Sequence, residues 1–398
     1  MNMNDKQIEK YTQKLLRDRT SVPESIRFYR LDDVVISNRQ DGWLPVFTEV
    51  LNGLDVTALL FATPTLPFAD LLVERADPRA DRLVPKDSET KVFLHDIPFI
   101  RKAEWLERPK SELVGKIIHC LKKRKAAIIQ GLGVVASGGM TVEQAFIGFS
   151  SIFHTTFVKY LLDLLTEGFR LQDERRHFEE FRKTWLRQRD LSDLTFAPGP
   201  IDGRDAIITE ICHVGRYTVE KGYVDSFFGN ISYFDGSTIF ISQTASSLDE
   251  LEGRIDPVPL DGSSTSGLSA SSELPAHRGI YVASQYHAIL HGHPKFSVIM
   301  SMYCDERNCG IEDCNRFCNR NRSACGAPIV AGETGAGGLA RSVPLALKES
   351  GVCIVYGHGI FSAGEKDFQE AFMRMVDVEN RCREEYFALA EKRLKNER

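Results

Sequence analysis

The spacing of hydrophobic and polar residues predicts alternating helices and strands in the first half of the chain. Apolar residues recur at helical spacing in some windows, and short apolar runs bounded by polar residues occur in others. The predicted elements are, in order, a helix over residues 6–18, an extended segment over 33–37, a helix over 44–54, a strand over 56–62, a strand over 91–96, a helix over 111–123, a strand over 126–130 and a long helix from about Thr141. This half is therefore predicted to be α/β.

A charged stretch and a linker-like segment follow this half. Residues 168–193 carry clusters of acidic and basic side chains with aromatic residues at helical spacing, which predicts a solvated amphipathic helix. The segment 197–203 contains two prolines and two glycines, a composition typical of a linker. We predict a first domain over residues 1–196, a linker over 197–204 and a second domain over 205–398.

The chain also repeats itself when it is shifted by 226 positions. Residues 113–146 then lie over residues 339–372 with nine identities in 34 positions, three of which are shared glycines. Glycine marks backbone positions with special dihedral requirements, so its recurrence favours an internal duplication over chance. In this alignment Leu132 stands where the second copy has His358.

Composition and charge exclude several classes of function. The chain has 398 residues, 42% of them hydrophobic and 26% charged, which favours two ordinary globular cores over one very large domain. A net charge of −5 provides no basic surface for nucleic acid. The N-terminus lacks the pattern of a signal peptide, and no run of 18 uncharged apolar residues occurs. We therefore expect a cytoplasmic protein that binds neither nucleic acid nor a membrane.

Three histidines have the pattern of metal ligands. His291 and His293 stand two apart at the end of an apolar run, and alternate residues of a strand face the same side. His358 follows a predicted strand and lies between two glycines, where the backbone can turn the ring into a cleft. Three imidazoles with an open coordination position are typical of a catalytic zinc site. A pair of histidines without metal is the alternative for any single His-x-His sequence.

Glu273 is the candidate acid/base residue. A carboxylate close to a bound cation can move a proton beside a carbonyl group. The alternative is a surface role, in which Glu273 and His277 form an exposed pair four residues apart on a helix.

Four polar residues are candidates for a small anion pocket, and phosphate is the usual occupant of such pockets. Two of them flank a predicted tight hairpin at Asp235-Gly236, and the other two precede the predicted helix that contains His277. The alternative is that their side chains form turn and cap hydrogen bonds. The four residues are Asn230, Thr244, Ser271 and Ser272.

Five of the nine cysteines crowd into one polar segment: Cys304, Cys309, Cys314, Cys318 and Cys325. An odd, uneven set of cysteines does not match the disulfide framework of a small secreted domain. No Cys-x-x-Cys pair occurs, so the usual zinc-ribbon and ferredoxin spacings are absent. A second metal site and a group of reduced thiols both remain open. The cluster should overhang the histidine site, because it lies in sequence between His293 and His358.

The order of these motifs resembles the class II aldolase and adducin family, in particular its L-fuculose-phosphate aldolase-like members. The motifs are Gly-Asn-Ile-Ser, Ile-Ser-Gln-Thr-Ala, Ser-Ser-Glu-x-x-x-His, His-Gly-His and Gly-His-Gly. The resemblance covers about residues 205–390, and the first copy matches weakly, best over 113–146. It implies an α/β fold of two tandem three-layer α/β/α domains, each with a mixed, mostly antiparallel central sheet, of which the first lacks the metal ligands.

The resemblance also implies roles for the candidate residues. His291, His293 and His358 match the family's zinc-binding histidines, and Glu273 matches its acid/base carboxylate. Zn²⁺ is the implied cofactor, with Mn²⁺, Fe²⁺ or Co²⁺ as alternatives. Ala245 stands where the family usually has a glycine. The residues that match the phosphate-binding positions of sugar-phosphate members are Asn230, Thr244, Ser271 and Ser272.

The implied function is that of a metal-dependent lyase. Such an enzyme cleaves or forms a carbon–carbon bond in a small hydroxy-carbonyl compound, here a sugar phosphate, through a zinc-stabilised enediolate. Dehydratases, decarboxylases and epimerases share the same ligands and are alternatives, as is a non-catalytic adducin-like assembly protein. Relatives form fourfold rings, so we expect a homo-oligomer in which a dimer of two-copy chains imitates such a ring.

Overall fold

The computed structural model describes residues 3–225, 227–263, 265–304, 306, 309–332 and 336–396. The chain divides into two compact units. The first unit contains Met1–Leu161 and Phe169–Phe181, and the second contains Leu162–Gly168 and Arg182–Arg398. The domain limits proposed above, 1–196 and 205–398 with a linker between them, stay a prediction.

The first unit is built on a sheet with the strand order β2-β1-β3-β7-β6-β5-β4. All of its strand pairs are antiparallel except β5 and β6, which run parallel. The elements up to residue 185 are α1 (Met3–Arg17), β1 (Arg27–Leu31), β2 (Val35–Ser37), α2 (Leu44–Asn52), β3 (Ala58–Ala62), α3 (Phe68–Arg75), β4 (Arg82–Leu83), α4 (Ser88–Leu94), β5 (Ile97–Ile100), α5 (Lys110–Leu121), β6 (Ala126–Ile129), β7 (Gly133–Gly138), α6 (Val142–Glu167) and α7 (Glu174–Trp185).

A hydrophobic cluster joins α2 and α5 to this sheet. Phe47 of α2 and Ile117 of α5 are fully buried against Leu59 of β3 and Val135 of β7. The apolar residues of both helices recur at the three- and four-residue spacing that gives a helix one apolar face. The periodic spacing in the sequence therefore predicted these helices, because the face it marks is the one that is buried.

The strand predicted over residues 91–96 is wrong, because Ser88–Leu94 forms the helix α4. The Asp87 side chain accepts hydrogen bonds from the backbone nitrogen of Thr90 at 2.8 Å and from the Thr90 hydroxyl at 2.5 Å. Such a cap satisfies an amide group that has no partner within the helix, and it typically stabilises a helix by about 1 kcal/mol. The strand β5 begins just after this helix, at Ile97.

The second unit contains the sheet that positions the candidate site, with the strand order β10-β9-β8-β11-β15-β14-β13-β12. Its elements are α8 (Arg204–Glu220), β8 (Asn230–Phe234), β9 (Thr238–Ser242), β10 (Ile255–Pro259), α9 (Leu274–Ala283), β11 (Ala288–Gly292), α10 (Lys295–Met302), α11 (Cys314–Phe317), β12 (Arg322–Ala324), β13 (Ala327–Val330), α12 (Ala336–Ser350), β14 (Val352–Val355), β15 (Gly359–Gly364) and α13 (Phe368–Asn396).

The two sheets share their strand order and pairing. Apart from β10, each strand of the second sheet has a counterpart at the same place in the first, and the parallel pair is β5–β6 in one and β13–β14 in the other. The predicted fold class is confirmed as α/β with two mixed, mostly antiparallel sheets. The duplication itself stays a prediction, with which the shared topology agrees.

The helix α6, Val142–Glu167, is long and apolar enough to cross a membrane by length and composition alone. Most of its apolar window is buried inside the protein, as in the core helix of a soluble protein. The cytoplasmic location stays a prediction.

Candidate active site

His291 lies in β11 and His293 is the first residue after that strand, with both side chains buried. Their Nε2 atoms are 3.0 Å apart, as expected for alternate residues that face the same side of a strand. The residue between them must be small, because a Cβ atom at Gly292 would lie 2.5 Å from Cγ2 of Val224. The His-Gly-His sequence therefore brings two imidazoles to one point.

His358 completes this group from the turn between β14 and β15. Its Nε2 atom lies 3.1 Å from Nε2 of His291. Gly357 has a φ of +60°, a conformation that glycine adopts at little cost, and it lets the turn present the His358 ring. In the part of the chain that the structure describes, these three residues are the group that could hold a metal ion, with all ligand atoms within 4.8 Å of one another.

The donor atoms suit a divalent cation. Nitrogen atoms around a tetrahedral zinc ion are about 3.3 Å apart, close to the separations found here. Nδ1 of His291 lies 2.9 Å from the carbonyl oxygen of Ile360, so it carries the proton and Nε2 presents a lone pair to the centre. Burial lowers the pKa of His291 to about 4, which keeps the ring neutral, as a metal ligand must be.

Glu273 is the fourth group at this centre. It caps α9, its side chain is buried, and its two oxygens lie 3.3 Å from Nε2 of His358 and 3.5 Å from Nε2 of His291. Burial by itself would raise the pKa of Glu273, but His291, His358 and Asn230 together hold it well below its usual range. The carboxylate is therefore ionised and faces the same space as the three imidazoles.

Of the four candidate phosphate residues, two contact Glu273 and the other two contact each other. Asn230 Nδ2 donates to Glu273 Oε2 at 2.7 Å, and the Glu273 backbone nitrogen donates to Ser271 Oγ at 3.3 Å. The Ser272 backbone nitrogen donates to Thr244 Oγ1 at 3.0 Å. Asn230 and Ser271 are buried, whereas Thr244 and Ser272 are exposed. The contacts of Ser271 and Thr244 are of the turn and cap type, while Asn230 binds the candidate acid/base residue directly.

Ala245 stands where the family that the sequence resembles usually has a glycine, and it has a φ of +57°. This left-handed conformation costs a residue with a Cβ atom roughly 1–2 kcal/mol, and glycine loses about 0.5–1 kcal/mol more entropy on folding than alanine. We expect Ala245→Gly to stabilise the protein by about 0.5 kcal/mol, measured as a higher urea midpoint. The control Ala340→Gly, within helix α12, should instead destabilise it. A lower midpoint for Ala245→Gly would contradict this account.

The five clustered cysteines are all partly exposed free thiols. Cys314 lies near Tyr356: burial raises the pKa of Tyr356 to about 12, and Cys314 adds to the increase. Cys325 donates from Sγ to Oε2 of Glu385 at 3.2 Å. That the cluster overhangs the histidine site stays a prediction. A metal-binding role for these thiols stays a prediction.

Three further buried polar residues line up behind Glu273, and the sequence reasoning did not assign them to the site. His277 Nε2 lies 2.5 Å from Asn230 Oδ1, and His277 Nδ1 lies 2.6 Å from Ser232 Oγ. The Ser232 hydroxyl lies 2.7 Å from the Tyr281 hydroxyl. The signal that could have found them is a pair of spacings: residues 273, 277 and 281 share one helix face, while 230 and 232 share one strand face.

The register of the first sheet identifies the positions that correspond to the ligands. Ala62 pairs with Val134 one residue after Gly133, just as Gly292 pairs with Ile360 one residue after Gly359. The histidine positions therefore correspond to Phe61, Thr63 and Leu132. Phe61 lies in an aromatic cluster, 4.7 Å from Phe47 and 5.6 Å from Trp43 between ring centroids. Phe61 and Leu132 have no side-chain atom that can bind a metal, and the Thr63 hydroxyl donates to the Leu132 carbonyl oxygen at 2.7 Å.

Comparison with known proteins finds a family model that matches part of the second unit. Residues 209–386 match the family model described as the class II aldolase and adducin N-terminal domain. The chain matches no curated protein sequence at a significant level.

Several solved structures are similar in fold over about half of the chain. L-fuculose-1-phosphate aldolase from Thermus thermophilus is 25% identical, with 48% of this chain and 97% of that chain covered and a TM-score of 0.38. A sugar-phosphate aldolase from Thermotoga maritima is 19% identical, with 46% and 95% covered and a TM-score of 0.35. The N-terminal class II aldolase domain of a conserved protein from Thermoplasma acidophilum is 14% identical, with 46% and 94% covered and a TM-score of 0.34.

Proposed function

We propose, from the match of residues 209–386 to the class II aldolase and adducin N-terminal domain, that the second unit is a divalent-metal-dependent lyase of the aldolase type. Its substrate is a small hydroxy-carbonyl compound, of which a sugar phosphate is the class that fits best. The reaction cleaves or forms a carbon–carbon bond.

One observation carries this proposal: three buried imidazole nitrogens and one ionised carboxylate face a common point. Three nitrogen ligands with room for substrate oxygens are the donor set of a catalytic site, whereas a structural site is closed by four protein ligands. Glu273 contacts two of the ligands from the side, which suits an acid/base group that works beside the ion. Zn²⁺ is the cofactor we propose, and Mn²⁺, Fe²⁺ or Co²⁺ would suit the same imidazoles.

The three histidines and Glu273 have different roles in the proposed reaction. His291, His293 and His358 would hold the ion. When bound, the cation would supply Lewis-acid stabilisation of negative charge that develops on substrate oxygens, a contribution of several kcal/mol. Glu273 accepts the proton from the substrate carbon that becomes nucleophilic in the direction of bond formation, and it returns that proton in the direction of cleavage.

A substrate phosphate would be bound at the side of the site that Asn230 and Ser271 share with the exposed Thr244 and Ser272. The Asn230 amide has two N–H groups, and one of them already goes to Glu273. The other can donate to a substrate oxygen. The hydroxyls of Thr244 and Ser272 are at the surface, where an anionic group can enter without being fully desolvated.

An adducin-like assembly role is less well supported. An assembly role would not by itself account for three buried imidazoles whose Nε2 atoms converge, at 3.0 and 3.1 Å, beside an ionised carboxylate. The first unit, in which Phe61, Thr63 and Leu132 take the ligand positions, would be structural.

We also propose that two chains associate as a homo-oligomer.

The proposal is tested by assaying the purified full chain for bond formation between dihydroxyacetone phosphate and simple aldehydes, before and after removal of metal by chelation and after return of Zn²⁺. We expect a condensation product that disappears on chelation and returns with the metal. Loss of water, loss of CO₂ or inversion at a carbon in place of condensation would assign the site to a dehydratase, a decarboxylase or an epimerase. Condensation that is unaffected by chelation would refute the metal mechanism.

A further inference from the structure

A continuous row of buried polar side chains leads away from Glu273 into the second unit. In order, it consists of Asn230, His277, Ser232 and Tyr281. His277 and Ser232 are completely shielded from solvent, and Tyr281 is 4% exposed. Such groups cost free energy to bury unless each is hydrogen bonded, and here each is. We call these four residues the Glu273 chain.

The backbone explains how so many polar groups meet. Glu273, His277 and Tyr281 are spaced by four residues at the start of and along α9, so they form one stripe on the helix. Asn230 and Ser232 are alternate residues of β8 and point to the same side of the strand. The helix stripe and the strand face lie against each other, and their polar groups alternate in the row.

The donors in the row run in one direction. The Asn230 amide nitrogen faces the Glu273 carboxylate, since its oxygen there would be repelled, and therefore Asn230 Oδ1 is the acceptor for His277 Nε2–H. Burial lowers the pKa of His277 to about 3, so the ring is neutral and Nδ1 has a lone pair. Ser232 then donates its hydroxyl proton to Nδ1.

The same reasoning extends to the end of the row. The Ser232 proton is used on His277, so the Ser232 oxygen accepts from the Tyr281 hydroxyl. Burial raises the pKa of Tyr281, which keeps the phenol protonated and able to donate. Every hydrogen bond therefore points from Tyr281 towards Glu273. Hydrogen bonds aligned in this way polarise one another, and the last donor to the carboxylate is strengthened.

We propose that the Glu273 chain is a positioning device for the acid/base residue: Ser232 and Tyr281, which touch neither substrate nor ion, hold His277 in one tautomer and so fix Asn230 and the carboxylate of Glu273 in their working orientation. This inference rests on the proposed function. It adds His277, Ser232 and Tyr281 to the site with defined roles, and it assigns Asn230 a role besides phosphate binding.

The test removes the far end of the row and leaves the rest in place. Tyr281→Phe keeps the ring that stacks on Phe234 at 5.2 Å between centroids, so the helix packing is retained. We expect kcat for condensation of dihydroxyacetone phosphate with a simple aldehyde to fall by about 10-fold, with KM and metal content unchanged, as for other residues that orient an active group indirectly.

The matched control is Tyr286→Phe, which removes a hydroxyl that donates to the Leu347 carbonyl oxygen at 3.3 Å, outside the row. It should leave kcat unchanged. In a Glu273→Gln background, Tyr281→Phe should cause no further loss, because its effect passes through the carboxylate. An equal loss of kcat in both backgrounds would overturn the proposal.

A second measurement does not depend on activity. In protein with ¹⁵N-labelled histidine, with His277→Gln used to assign the signal, we expect His277 to be a neutral ring protonated on Nε2, and its Nδ1 signal to shift in Tyr281→Phe. A His277 ring protonated on Nδ1, or one that carries a charge at neutral pH, would overturn the proposed direction of the hydrogen bonds in the Glu273 chain. If His277 has the expected tautomer but the protein has no lyase activity, only the proposed function is refuted.

Discussion

Replacing Glu273 with glutamine is expected to lower kcat by about 100- to 10,000-fold, the usual contribution of a positioned acid/base group. Such a loss corresponds to about 2.7–5.5 kcal/mol of barrier. The shape of the side chain is retained, and the amide oxygen of glutamine can still accept the hydrogen bond that Asn230 donates at 2.7 Å. What disappears is the ability to accept and return a proton.

Metal content separates this effect from a loss of the site. Since the proposed ligands are three imidazoles and not Glu273, Glu273→Gln should bind metal as the unaltered protein does, as measured by elemental analysis. The matched control is Glu252→Gln, which makes the same chemical change at an exposed side chain paired with Arg216. If Glu273→Gln retained full kcat, the carboxylate would not be the acid/base group.

His358→Ala has the second large expected effect, a loss of metal affinity of about 100- to 1000-fold. Apparent binding free energies of about 10–16 kcal/mol for zinc sites with four ligands correspond to about 3–4 kcal/mol for each ligand. Removal of His358 leaves the imidazoles of His291 and His293 as the proposed ligands. The Nε2 atom that is lost lies 3.1 Å from Nε2 of His291 in the unaltered protein. Elemental analysis after dialysis in buffered zinc measures the change.

Thermal unfolding gives an independent measurement of the same loss. A ligand that binds only the folded state at 100 times its dissociation constant stabilises the protein by about 2.7 kcal/mol. This increment should be present in the unaltered chain and in the control His213→Ala, whose ring is partly exposed and lies 3.5 Å from Glu210. Stoichiometric metal retained in His358→Ala would contradict the ligand assignment.

The convergence of the histidines could be predicted from sequence because it depends on local geometry. Alternate residues of extended backbone face the same side, so His291 and His293 meet in any fold in which the extended conformation of residues 288–292 continues to His293. The Gly-His-Gly sequence likewise marks a turn through its glycines, and Gly357 has the positive φ that this interpretation requires. The family model that matches residues 209–386 is the one that the order of these motifs resembles.

The surroundings of Glu273 could not be predicted because they depend on which surface α9 buries. The four-residue spacing of Glu273 and His277 is equally typical of an exposed helix pair. Only the contact between α9 and β8 makes both residues internal and gives Asn230 an acceptor and a donor to satisfy. Similarly, residues 91–96 contain no sign that Asp87 will cap a helix, so the apolar pattern alone favoured a strand there.

The position of His358 ties together two stretches of backbone that are remote along the chain. It is separated from His291 by 67 positions, and the two meet only when β11 and β15 are paired. An ion bound by both histidines would act like a covalent cross-link, because β11 and β15 could not separate without releasing it. In a cell starved of that ion, the sheet would open more often, and proteases would shorten the lifetime of the whole polypeptide.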